Sequence, residues 1–189
     1  MATYPRCLTS YTEQEALNQH LGRVIRLTPT IVTGSSTSGD VLCQNIEIPN
    51  AVAVPGGTSK LINIYIINYG DVANDFEIIF HENADAVMSD ALGNGLGNSS
   101  TWTDANIRAI KILGYNFFDA TDFNLDWVTS RATGGIRGAG DATAVMSRSP
   151  LLFQAASGST SIYFGIVDRS GGQNFAADDI EFIFHVEYK

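Results

Sequence analysis

The segment IEFIFHVEY, Ile180–Tyr188, alternates apolar and polar residues along most of its length. Its even-numbered positions are all large and apolar, whereas glutamate or histidine occupies three of the four odd-numbered positions. A period of two residues is the signature of a β-strand with one face in a core and the other largely in water. This segment therefore predicts a fold built from half-buried β-strands.

Two earlier segments extend this pattern. Phe76–His81 alternates in the same way, and Leu61–Tyr69 is apolar on both faces. A run that is apolar on both faces predicts a central strand covered on both sides. Because the turn-forming residues Asn68–Asn74 lie between the two segments, they are predicted to form a hairpin.

The rest of the chain is predicted to add shorter strands separated by polar turns. Pro29 interrupts the apolar residues at 21–32, as is typical of an edge strand. Further strands are predicted at Val41–Ile48, Pro150–Ala156 and Ser161–Val167, with a helical turn after Trp102 that leads into a strand through Ile107–Phe118. Loops are predicted at Gly34–Asp40, Ala84–Ser100 and Ser130–Gly140. Eight or nine strands with few helices predict an all-β fold, an antiparallel β-sandwich that is jelly-roll-like.

The first twenty residues differ from the rest. Thr12 and Glu15 have the spacing of a helix capping box, so residues 1–20 are predicted to form a short N-terminal arm or helix. No linker or internal repeat is visible after them, and residues 21–189 are expected to form a single β-sandwich domain.

Composition excludes several classes of partner. Only 16% of the residues are charged, below the roughly 25% of an average soluble domain. The net charge of -9 repels phosphate backbones and anionic lipids, so neither direct nucleic-acid binding nor membrane binding is expected. No secretory signal and no apolar run of membrane-spanning length is visible, which predicts synthesis in a cytosol, where Cys7 and Cys43 stay reduced.

The histidines and aspartates do not form a recognisable site. His20, His81 and His185 are far apart, and the last two lie beside glutamates on predicted strands, where solvated polar residues are common. The aspartates that could bind calcium lack the order of a calcium loop and suit turns instead. These are Asp71, Asp75, Asp119, Asp122 and Asp126.

Other short motifs also favour a structural interpretation. The glycine-rich residues 93–97 lack the strand and helix of a phosphate-binding loop, and the sequon at Asn98 matters only in a secretory lumen. No nucleophile motif is present. The chain is therefore expected not to be an enzyme, with no catalytic residue, cofactor or metal.

Six aromatic residues crowd into the region from 102 to 127, and the sequence leaves two explanations open for them. They fill a core or they contact a partner, since large aromatic side chains dominate both. The residues are Trp102, Tyr115, Phe117, Phe118, Phe123 and Trp127.

Three turn motifs carry a resemblance. The segments SGDVL at Ser38–Leu42, IEIPNAV at Ile46–Val52 and GGTSKL at Gly56–Leu61 precede two apolar strands. Over residues 38–81 this order resembles that of tailed-bacteriophage capsid decoration proteins, also called cement proteins.

The resemblance implies a jelly-roll-like β-sandwich on the outer surface of a virion. Its partner would be the major capsid protein, its assembly a homo-trimer, and its function to stabilise the shell against internal DNA pressure. A carbohydrate- or receptor-binding module of a phage fibre or cell surface is the alternative, because β-sandwiches often hold sugars on aromatic loops. A β-sandwich glycosidase or lyase ranks last, because no pair of carboxylates is singled out.

Overall fold

The computed structural model of the chain describes residues 22–31, 33–70, 74–85, 97–98, 108–120, 123–124, 130–135, 150–172 and 174–188. These residues form β-strands and one helical turn at 108–110, which confirms the all-β prediction. The arm predicted at residues 1–20 lies outside the described residues. The strands are β1 (Gly22–Leu27), β2 (Gly34–Ser35), β3 (Asp40–Ile48), β4 (Thr58–Asn68), β5 (Phe76–His81), β6 (Gly97–Asn98), β7 (Ile112–Phe118), β8 (Phe123–Asn124), β9 (Ser130–Gly135), β10 (Leu151–Gln154), β11 (Ile162–Asp168), β12 (Asn174–Phe175) and β13 (Ile180–Tyr188).

The strands build two antiparallel sheets that pack against each other as a sandwich. The six-stranded sheet has the order β1-β13-β4-β9-β8, and the five-stranded sheet has the order β6-β3-β11-β5-β7. β10 pairs with residues 58–61 of β4 and β9 with residues 63–68, so these two strands share one edge of β4. β2 and β12 form a separate two-stranded pair.

Several strands that follow one another in the chain lie in opposite sheets. β1, β4, β10 and β13 belong to the six-stranded sheet, whereas β3, β5 and β11 belong to the five-stranded sheet. This arrangement confirms the predicted antiparallel β-sandwich. It also makes the predicted hairpin of β4 and β5 wrong, because the chain crosses to the opposite sheet after Asn68, where β5 pairs with β11 and β7.

The loop prediction for Ser130–Gly140 is wrong in its first half. Ser130–Gly135 is β9, and it pairs with Asn63–Asn68 of β4. Its sequence, SRATGG, has little intrinsic preference for strands. The backbone hydrogen bonds offered by the edge of β4 decide its conformation instead.

A β-bulge changes which residues of β4 share a face. His185 of β13 pairs with Asn63 and Val186 pairs with Leu61, which leaves Ile62 as an extra residue in β4. Leu61 is therefore fully buried and Ile62 is 44% exposed. The two-residue period of the sequence predicts that Ile62 faces the same way as Ile64, and the bulge makes this prediction wrong. The prediction that both faces of this strand are covered is also wrong, because Ile62 is exposed.

The core lies between the sheets and is dominated by phenylalanine. Phe80 of β5 contacts Phe153 of β10 and Phe184 of β13, with ring centroids 5.1 and 6.1 Å apart. Phe164 of β11 contacts Phe182 and Phe184 at 5.3 Å each. All five side chains are fully buried, so aromatic contacts link the sheets directly.

The three turn motifs that carry the resemblance have clear conformational roles. The Asp40 carboxylate accepts hydrogen bonds from the Thr37 backbone N–H at 2.7 Å and the Thr37 hydroxyl at 2.9 Å. Asn50 has a φ of 53°, and its carbonyl accepts a hydrogen bond from the Tyr188 hydroxyl at 2.7 Å. A Cβ on Gly57 would lie 2.8 Å from the Val54 carbonyl oxygen. Each motif therefore stabilises a turn of the sandwich.

A second loop cluster closes the end of the sandwich at Asp40. The buried Asp168 carboxylate accepts hydrogen bonds from the Ser36 hydroxyl and from the Ser170 backbone N–H. Gly172 donates its backbone N–H to the Ser36 carbonyl at 2.6 Å. These contacts hold the loop after β11 against the loop before β3.

Single substitutions of the two adjacent glycines in this cluster distinguish the effect of a steric clash on stability from the effect of backbone strain. Gly171 and Gly172 have similar φ values, +74° and +76°, but an added Cβ lies 2.6 Å from the Ser38 backbone nitrogen at Gly171 and meets nothing within 4 Å at Gly172. We expect Gly172→Ala to lower the free energy of unfolding by about 1 kcal/mol through the left-handed conformation alone. Gly171→Ala adds a clash with backbone, which we expect to cost about 2 kcal/mol more. Urea unfolding followed by far-UV circular dichroism measures the difference, and equal losses for the two variants would contradict it.

Candidate interaction surface

The structure separates the histidines that the sequence singles out. His81 is buried on the five-stranded sheet, His185 is partly exposed on the six-stranded sheet, and His20 lies outside the described residues. Glu82 pairs with Lys111 and makes no ion pair with its neighbour His81. Among the described residues, no group of three His, Cys, Asp or Glu side chains is arranged to hold a metal.

His81 is a buried imidazole in an apolar setting. Its ring stacks on that of Tyr163, with centroids 6.1 Å apart and planes inclined by 21°. Neither ring nitrogen has a hydrogen-bond partner of normal geometry. Burial lowers the pKa of His81 from its usual 6.5 to about 4, and the nearby Asn83 backbone opposes this shift only partly.

The aspartates and the cysteine have structural roles where they are described. The Asp75 carboxylate accepts a hydrogen bond from the Ala120 backbone N–H at 2.7 Å, which ties β5 to the end of β7. Asp71, Asp122 and Asp126 lie outside the described residues. Burial raises the pKa of the Cys43 thiol to about 12, so this thiol stays protonated at neutral pH.

The aromatic residues of β7 include one that fills the core and others that face outward, where they could contact a partner. Phe118 is fully buried in the main core, whereas Tyr115 is 39% exposed. Phe117 is partly buried on the same face as Tyr115. Trp102 and Trp127 lie outside the described residues.

Among the described residues, the largest group of exposed apolar side chains lies on the face of the six-stranded sheet that points away from the core. We call this surface the outer face. Alternation along the strands and the bulge at Ile62 place its side chains. The outer face consists of Val24, Arg26, Lys60, Ile62, Asn63, Tyr65, Ile67, Tyr69, Leu152, Glu181, Ile183, His185 and Glu187.

The centre of the outer face is apolar and aromatic. Val24 pairs in register with His185, and Ile183 with Tyr65. The Tyr65 and His185 rings lie 5.1 Å apart. Val24 is 57% exposed and Leu152 is 51% exposed, so the apolar surface is open to solvent.

Charged and hydroxyl groups border this apolar centre at both ends. At one end the Arg26 guanidinium pairs with Glu181 at 2.9 Å, and the Tyr69 hydroxyl donates to the second oxygen of Glu181 at 2.7 Å. At the other end Lys60 lies 4.0 Å from Glu187. An apolar, aromatic centre with a polar rim is the usual anatomy of a protein–protein interface.

The outward side of the five-stranded sheet is different, because the chain covers part of it. Ile110, from the helical turn at 108–110, is fully buried against Val41, Ile79 and Val167. These three residues belong to β3, β5 and β11. Ile110 therefore covers part of the apolar surface of this sheet, whereas Ile112 and Tyr115 on its β7 edge strand remain 43% and 39% exposed.

No protein-family model and no curated protein matches the chain. Among the described residues, no helix has the length and apolar character needed to cross a membrane. The inference of function therefore depends on the residues of the surfaces themselves.

Apolar residues at outward positions of β4 and β13 are a signal in the sequence for the outer face. Tyr65, Ile67 and Ile183 are apolar at positions that face away from the core. In a sandwich, such residues indicate a covering layer or a binding surface. The sequence alone predicts that a covering layer buries the outward residues of β4, and that the outward face of β13 is largely exposed to water.

The unpartnered His81 predicts an acid-sensitive fold. Because the unfolded chain takes up this proton near pH 6.5 and the folded chain only near pH 4, His81 contributes full stability above pH 6.5. We expect the free energy of unfolding to fall as the pH drops from 6.5 towards 4, with a slope of at most about 1.4 kcal/mol per pH unit from this residue.

Urea titrations at several pH values between 7.5 and 5 measure this slope. His81→Leu removes the titrating group and should flatten the profile. Parallel profiles for the wild type and His81→Leu would show that the buried imidazole does not control acid stability.

Proposed function

We propose that this chain is a structural virion protein that binds the outer surface of a phage capsid through its outer face. The observation that carries the proposal is the apolar surface around Tyr65, where Val24, Ile62 and Leu152 are exposed to solvent and paired charges lie at both ends. A soluble domain does not normally leave such a surface uncovered unless a partner covers it. The turn motifs between Ser38 and Leu61 supply the resemblance to capsid decoration proteins.

The physical properties of the chain suit an adhesive rather than a catalytic function. The described residues contain no group of three His, Cys, Asp or Glu side chains arranged to hold a metal. A sheet face is also a rigid platform, so little conformational entropy is lost when it docks. We therefore propose a protein without enzymatic activity, cofactor or bound nucleic acid.

The proposed action is to bridge capsid subunits. DNA packed inside a capsid pushes the shell outward, and a protein that spans a subunit boundary adds contact area that must be broken before the subunits separate. A typical specific interface buries about 1,200–2,000 Å² in total. Because many copies bind one particle, modest contacts at each copy sum to a large effect.

Two residues with nearly equal exposure give a matched test of the outer face. Ile62 is 44% exposed at its edge, and Ile112 is 43% exposed on the five-stranded sheet. We expect Ile62→Lys to weaken binding at least tenfold, because it places a charge in a desolvated interface, and Ile112→Lys to bind like the wild type.

The binding measurement uses capsids of the phage that encodes the chain, purified from a strain without this gene. Co-sedimentation gives the affinity, and dye fluorescence during heating gives the temperature of DNA release, which the wild type should raise. Equal binding by both variants would exclude the outer face as the contact. Absence of wild-type binding to capsids, together with binding to a glycan array, would replace the proposal with the carbohydrate-binding alternative.

We further propose that the chain acts as a homo-trimer, as the resemblance implies. A closed three-fold assembly fits the three-fold positions of a capsid and presents three outer faces together. Multi-angle light scattering of the purified chain is expected to give three times its mass of 20.3 kDa. A mass of 20.3 kDa over the whole micromolar range, with capsid binding retained, would show that single copies decorate the shell.

A further inference from the structure

A cavity of about 580 Å³ opens at the end of the sandwich where β1 begins and β13 ends. Its walls come from the first residues of β1, from Tyr188 and from the loop between β3 and β4. Val52 is buried at its base, and Val54 is 58% exposed beside it. The volume is within the usual range of ligand sites, and the apolar residues favour an occupant with an apolar side chain.

Arg23 gives this cavity an uncompensated positive charge. The residue lines the cavity, and its position two before the buried Ile25 places it on the core side of β1. Four of the other described cations pair with carboxylates, whereas Arg23 and Arg108 make no ion pair with a described residue. Of these two arginines, Arg23 is the one that lines the cavity. The pairs are Arg26–Glu181, Lys60–Glu187, Lys111–Glu82 and Arg169–Glu77.

The β1 strand also presents a free edge beside the cavity. β1 is the terminal strand of its sheet, and among the described residues only β13 pairs with it. The backbone N–H and C=O groups on its other edge can therefore pair with a further strand. Addition of a strand to such an edge is a common mode of peptide recognition.

We propose that this corner binds an extended segment of a partner protein that carries a carboxylate. The segment adds to the outer edge of β1, and its carboxylate pairs with the Arg23 guanidinium. The methyl group of a β-branched side chain two residues away, which shares that face of the added strand, packs on Val54. An Arg guanidinium matches a carboxylate through two parallel hydrogen bonds, which favours this anion over an uncharged amide.

The charge of the chain narrows the class of partner further. A net charge of -9 repels polyanions, so one favourable guanidinium does not attract a nucleic acid or a run of acidic residues. A single carboxylate in an otherwise uncharged, strand-forming segment avoids this repulsion. The site is distinct from the outer face and does not depend on the proposed capsid function.

The test uses the full chain labelled with ¹⁵N and three acetylated, amidated pentapeptides of sequence TVEVT, TVQVT and TVKVT. We expect TVEVT to shift the backbone amides of Gly22–Ile25 and Val52–Val54 in a saturable titration. TVQVT should bind at least tenfold more weakly, and TVKVT should give no saturable shift. The Arg23→Gln chain should lose the preference for TVEVT over TVQVT.

Arg108→Gln is the matched control, because Arg108 is an exposed cation of the helical turn beside the other sheet. This variant should keep the preference for TVEVT. Equal affinities of the three peptides for the wild type, or shifts confined to other surfaces, would overturn the proposal. A Glu13→Gln, Glu15→Gln variant whose Val52–Val54 amides shift without peptide would assign the site to the chain's own carboxylates and overturn the partner. Capsid binding by Ile62→Lys is measured separately, so either proposal can fail alone.

Discussion

The contact of phenylalanine rings between the two sheets is the interaction on which the rest of the structure depends. Phe80 and Phe164 extend from the five-stranded sheet, and Phe153, Phe182 and Phe184 extend from the six-stranded sheet. Burial of one such ring contributes on the order of 2–3 kcal/mol. Because this core holds the inner faces together, the strands can cross from sheet to sheet without pairing with their neighbours in sequence.

The inner faces of both sheets are buried in the core. The two outward faces differ in how far the chain itself buries their apolar side chains. Ile110 covers Val41, Ile79 and Val167 on the five-stranded sheet. On the six-stranded sheet, Val24, Ile62 and Leu152 remain exposed to solvent around the partly buried Tyr65. Leaving apolar surface in water has a free-energy cost that burial against a partner would remove. This difference between the sheets, and not any catalytic group, is the physical basis for proposing a binding protein.

The motifs that resemble decoration proteins and the surface proposed to bind a capsid are different parts of the molecule. Asp40, Asn50 and Gly57 form turns at strand ends, where their hydrogen bonds and backbone angles stabilise the sandwich. A resemblance in turn residues indicates a similar fold and not a similar function. Any sandwich whose strands are connected in the same way needs similar residues at its turns. The binding function therefore depends on outward side chains such as Tyr65, which the motifs do not include.

The sequence by itself determined the strands and the core side of most of them, because the two-residue period of segments such as Ile180–Tyr188 is a local property of the backbone. It did not determine which strands pair. The sheet of β5, the strand at Ser130–Gly135 and the bulge at Ile62 depend on hydrogen bonds between residues distant in the chain. Only the tertiary structure decided that Ile110 covers one sheet while the other stays open, since covering is a contact between distant segments and leaves no local pattern.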